Sequence, residues 1–171
     1  MEKKIIVLPA EFHTMNTPGQ IAKQFRDLNY GGNYTGVNLK DTLEGLTWNQ
    51  ATQKVESFNT IAALVFHINY YISAEIKVLE GGPLEGSDKL SYNVPPLNSQ
   101  EDWDSLLSKV WKDAERFANL IEQFPENKLD DAFANEKYGT WYRNLAGVIE
   151  HSHYDLGQIV LIKKLLAQAI K

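Results

Sequence analysis

Apolar residues recur three and four positions apart through most of this chain, and no alternation of the strand type persists beyond the first few residues. That period predicts helices. Thr17-Pro18-Gly19-Gln20 has the form of a helix start, with Thr17 as N-cap, Pro18 at the first position and Gln20 at the third. Ile21, Phe25 and Leu28 then share a face, and Gly31-Gly32-Asn33 breaks the pattern. A short helical piece carries Val37, Leu39, Leu43 and Leu46, and Thr47-Trp48-Asn49-Gln50 repeats the capping form. A strong helix is predicted from Asn59 or Thr60 through Leu79, apolar on its flanks as well as along its stripe and therefore largely buried. Gly81-Gly82-Pro83 stops it.

Residues 81–98 hold three prolines, Gly86 and Asn93 with no helical period, which predicts a long crossover loop. Ser99 caps the next helix, whose seam runs Trp103, Leu107, Val110, Ala114, Phe117, Ile121 and Phe124 until Pro125 ends it. Residues 126–139 form a second connection. The last helix is predicted from about Thr140 to Gln168, with Trp141, Leu145, Val148, Ser152, Asp155, Ile159, Ile162 and Leu166 on one stripe. Four main helices and one long crossover imply an all-α fold, an antiparallel four-helix bundle in a single domain over residues 1–171. Residues 1–16 read as an extended N-terminal arm.

Composition narrows the chemistry. The chain has 171 residues and a formal net charge of −5, with Lys and Arg dispersed, which argues against a nucleic-acid partner. No segment approaches the uninterrupted apolar length of a membrane span. Ile5-Ile6-Val7-Leu8 is too short for the core of a signal peptide, so a soluble cytoplasmic protein is expected. There are no cysteines. Disulfides, Cys-ligated zinc and a cysteine nucleophile are excluded, and any reactive thiol must arrive with a substrate.

The stretch His151-Ser152-His153-Tyr154-Asp155-Leu156-Gly157-Gln158-Ile159 stands out because Asp155 lies on the apolar stripe, where an unpaired charge is costly. His151, one turn earlier, shares its face. The two residues form either a buried hydrogen-bonded pair that fixes helix register or part of a metal site. His67, on the buried second main helix, is either a core histidine bonded to a carbonyl or to Tyr71, or the third ligand. Two imidazoles and a carboxylate suit Zn, Fe, Ni or Mn and leave positions open. His153 is predicted to point away, and His13 is assigned no role. Gly157 suggests close helix approach. Gln158 is either a residue that hydrogen-bonds a ligand or a polar side chain that only solvates the helix. Tyr71 and Trp141 are the better candidates for lining a pocket, Tyr71 one turn from His67 and Trp141 on Asp155's stripe. No catalytic-triad order, phosphate loop or HExxH motif occurs.

His67 in the second main helix, followed late in the chain by His151-x3-Asp155-x-Gly157-Gln158-Ile159, resembles the DinB/YfiT-like superfamily, whose last helix carries H-x3-H-x-G-Q-I. The likeness extends to Asn38-Leu39-Lys40-Asp41 and to the segment from His67-Ile68-Asn69-Tyr70-Tyr71 to Gly81. It implies a four-helix bundle, often dimeric, with a divalent metal, commonly Zn or Ni, in a cleft between helices. Relatives include S-transferases that use bacillithiol, mycothiol or glutathione, and a maleylpyruvate isomerase. Where the family usually has a third histidine, this chain has Asp155, which implies a metal-capable but weakened site. The expectation is a metal-dependent thiol S-transferase acting on a small-molecule substrate, as a homodimer. The alternatives are a non-catalytic binding or stress-response module, and a metal-dependent isomerase or hydrolase.

Overall fold

A computed structural model describes residues 15–169. The described residues form seven α-helices: α1 Thr17–Tyr30, α2 Leu39–Leu43, α3 Trp48–Thr52, α4 Ile61–Leu79, α5 Asp88–Ser91, α6 Gln100–Glu122 and α7 Trp141–Ala169. Among the described residues there is no strand, only an isolated bridge between Ala132 and Thr140. The described chain is all-α. Residues 1–14, which include most of the expected arm and His13, lie outside the described residues.

Local chemistry sets the helix ends. Asn16, not Thr17, caps α1: its side chain accepts from the Gly19 N–H at 3.0 Å. Thr17 is instead the first helical residue, and its N–H and hydroxyl donate to Glu126 Oε1 at 2.9 and 2.6 Å. Asn side chains reach the N3 amide at least as well as Thr, so the preceding residue wins the cap. Thr47 and Gln50 form the full capping box expected of them, and Thr60 and Ser99 cap α4 and α6.

The four long helices pack in the cyclic order α1, α6, α4, α7, each against two others. The core lies between them. Phe25 of α1 meets Phe117 of α6 edge to face with centroids 4.9 Å apart. Trp103 is fully buried, and its indole N–H donates to Leu46 O at 3.1 Å, so the largest core side chain leaves no unpaired donor. Along α7 the buried positions Leu145, Val148, Ser152, Asp155, Ile159, Ile162 and Leu166 follow the predicted stripe. This places one carboxylate inside the packed interface between α7 and α4.

The 81–98 segment departs from a plain loop. It contains the single-turn helix α5, which packs on α4. Gly157 also departs from expectation. It is exposed, and a methyl group added there would meet nothing within 4 Å, so close helix approach does not explain it.

Candidate metal centre

α4 and α7 bring His67, His151 and Asp155 together. His67 Nε2 lies 3.0 Å from His151 Nε2, and Asp155 Oδ2 lies 3.9 Å from the first and 3.3 Å from the second. The circle through these three atoms has a radius of about 2.0 Å, the length of a bond from zinc to an imidazole nitrogen or a carboxylate oxygen. The group can hold a metal ion.

Each ligand atom is aimed by a second contact. Ser91 Oγ, on α5, donates its only proton to Asp88 O at 2.7 Å. It can therefore only accept from His67 Nδ1–H, 2.9 Å away. This fixes the His67 tautomer and turns the Nε2 lone pair toward the other two residues. Gln158 Nε2 donates to Asp155 Oδ1 at 2.9 Å, which leaves Oδ2 facing the imidazoles. Asp155 is 1% exposed, and its Oδ2 has no hydrogen-bond partner. A buried carboxylate oxygen without a partner is costly, and a cation removes that cost.

Electrostatics agree with a ligand role. Burial, reinforced by the neighbouring His151, lowers the His67 pKa to about 4, so the ring is neutral near pH 7, as a metal ligand must be. Burial pushes the Asp155 carboxyl up, opposed by His151. A bound cation would restore its charged form.

Aromatic rings wall the group. Tyr92 stacks on His67 with centroids 3.9 Å apart. Tyr71 stands edge-on to both His67 and His151, with 5.1 Å between centroids in each case, and its hydroxyl donates to Asp88 Oδ1. His67 and Asp155 are sealed, whereas the His151 side chain is 33% exposed, so solvent reaches the group from its side. A cleft of about 340 Å³ opens there, lined by Tyr71, Glu75, Arg143, Asn144 and His151 among others.

Of the residues singled out from sequence, His67, His151, Asp155, Tyr71 and Gln158 meet at this place. Trp141 does not. It packs against Phe124 and Phe133, with centroids 4.7 and 4.9 Å away. A shared stripe is not proximity: 14 residues of helix put Trp141 roughly 21 Å along the axis from Asp155. His153 points away as expected, its Nδ1–H donating to Ile149 O at 3.0 Å. Ser91, Tyr92 and Glu75 were not foreseen. Glu75 had a signal, since it follows His67 and Tyr71 at four-residue intervals on one helix face.

No family model, curated protein or solved structure matches this chain. The site has to be read from its own chemistry.

Proposed function

We propose that this chain is a metal-dependent enzyme of the DinB/YfiT-like type, an antiparallel four-helix bundle with residues 81–98 as its crossover. In this reading His67, His151 and Asp155 bind Zn or Ni, and the reaction joins a low-molecular-weight thiol to a small electrophile. Asp155 Oδ2 carries the reading: a buried, unpartnered carboxylate oxygen faces two imidazole nitrogens at ligand spacing. Its donor set of two nitrogens and one oxygen suits borderline divalent cations and leaves room for an exogenous ligand.

A divalent cation at this position supplies the Lewis acidity that ionises a thiol near neutral pH. The protein's own residues do the rest. Ser91 holds His67 in the ligating tautomer, and Gln158 orients the carboxylate. Tyr71 and Tyr92 keep water off the buried side, and the open flank beside His151 admits the substrate. The chain has no cysteine, so the sulfur belongs to a co-substrate. Its thiol proton leaves to solvent and the thiolate sulfur bonds to the electrophilic carbon, as a carbon–chlorine bond breaks and chloride departs, or as an epoxide carbon–oxygen bond breaks and the freed oxygen takes a proton from solvent.

The test is consumption of a chlorinated aromatic and of an epoxide by Zn-loaded protein, with and without glutathione or another small thiol. Turnover that requires both metal and thiol is expected. Metal-dependent turnover indifferent to thiol would replace the transferase with an isomerase or hydrolase. A second reading rests on the 3.0 Å contact between the two Nε2 atoms, which is itself a hydrogen-bond distance. A metal-free binding module built on that contact would tolerate Asp155→Asn and take up no metal.

A further inference from the structure

Glu75 has no part in the ligand set, yet it is buried. It is 8% exposed, its Oε2 has no hydrogen-bond partner, and it lies on α4 two turns beyond His67. Besides the cleft beside His151, it lines an adjoining chamber of about 260 Å³ between α4, the 81–98 segment and the connection that precedes α7. Three aromatic residues, Tyr71, Phe133 and Tyr138, form much of its wall.

The chamber carries several hydrogen-bond acceptors in its lining. Besides Glu75 it is lined by Asp88, whose carboxylate accepts from the Tyr71 hydroxyl. Asn144 donates its amide to Tyr138 O and Thr140 O, at 2.9 and 2.8 Å, which leaves its carbonyl oxygen free. Among the described residues no Lys or Arg lines the chamber. Arg143 belongs to the neighbouring cleft, 67% exposed and 3.8 Å from Glu150, and Lys137 sits over the Tyr138 ring, 4.6 Å from its centroid. A cavity with two carboxyl groups, aromatic faces and no basic lining favours a cation on electrostatic grounds, because carboxylates and ring quadrupoles both attract positive charge.

We propose that this chamber is a binding site for an organic ammonium ion, with Glu75 as its counter-charge and Tyr71, Phe133 and Tyr138 as its walls. The volume suits one small aromatic amine. Tyr71 lines the chamber and also stands edge-on to His67 and His151, which places the chamber beside the metal group. Burial pushes the Glu75 pKa up to about 7, so an arriving cation draws the carboxyl into its charged form.

The experiment is calorimetric titration of the full chain, metal-free and Zn-loaded, with benzylammonium, benzyl alcohol and phenylacetate. These three probes share a ring and differ in charge. Benzylammonium is expected to bind at least about tenfold more tightly than either of the others, the margin of a charge-assisted contact. Glu75→Gln should erase that preference and leave Zn uptake unchanged. Equal binding of the three probes, absence of benzylammonium binding, or full affinity in Glu75→Gln would overturn the proposal. The charge series on the wild type decides even if the variant does not fold. Amine binding without Zn uptake would sink the metal reading alone, and Zn uptake without amine binding would sink this one alone.

Discussion

Asp155 is costly for α7 unless something satisfies it, and the residues around it are arranged to make it a ligand. The aiming contacts are testable one by one. Ser91→Ala frees the His67 tautomer and Gln158→Ala frees the carboxylate. Each should weaken Zn affinity by roughly 10–100-fold without unfolding the chain, measured by competition with a chromogenic chelator. Glu75 makes a separate prediction in pH. Its carboxyl pKa rises from 4.5 to about 7 on folding, so the stability it contributes when protonated is fully present below about pH 4.5. That stability is lost as pH rises through about 7. Relative to Glu75→Gln, the wild type should lose up to roughly 3 kcal/mol between those limits, read from urea unfolding at each pH. The ligand residues were legible in the sequence because polar side chains on an apolar stripe break its pattern. Ser91 and Tyr92 were not, because they reach His67 only through the path of the chain after α4.

At the scale of elements, periodicity located α1, α4, α6 and α7 closely, since each buries one continuous stripe. It gave nothing for α5, a four-residue turn with one buried residue, Ser91, and no period to detect. The position that matters most for His67 therefore sat in what reads as loop. The α1 cap shows a smaller gap, because two capping residue types in succession, Asn16 and Thr17, leave the first turn ambiguous until Glu126 engages Thr17. Gly157 carries the clearest prediction here. Alanine at that exposed helical position meets no neighbour within 4 Å, so Gly157→Ala should stabilise the chain by about 1 kcal/mol in chemical denaturation. A loss of stability would mean that another surface packs there.

For the whole molecule, the group joins α4 to α7, two of the four helices that enclose the core. A cation held only by the folded arrangement stabilises it by mass action, about 2.7 kcal/mol at a free concentration 100 times the dissociation constant. For a chain of this size that corresponds to a rise of roughly 5–11 °C in Tm, reversed by a chelator. No helix among the described residues is long and apolar enough to cross a membrane. The all-α class was legible from helical period alone. The chamber beside Tyr71 was not, because three separate parts of the chain build it.

The central claim is that His67, His151 and Asp155 hold one divalent cation. The most direct test is Zn titration of protein purified without a metal-affinity column, followed by calorimetry and elemental analysis. The wild type should take up one Zn per chain at micromolar concentration or below, and His67→Ala, His151→Ala and Asp155→Ala should each abolish uptake while the helical content persists. A wild type that takes up no Zn, Ni, Mn or Fe at micromolar concentrations, or variants that bind as the wild type does, would contradict it.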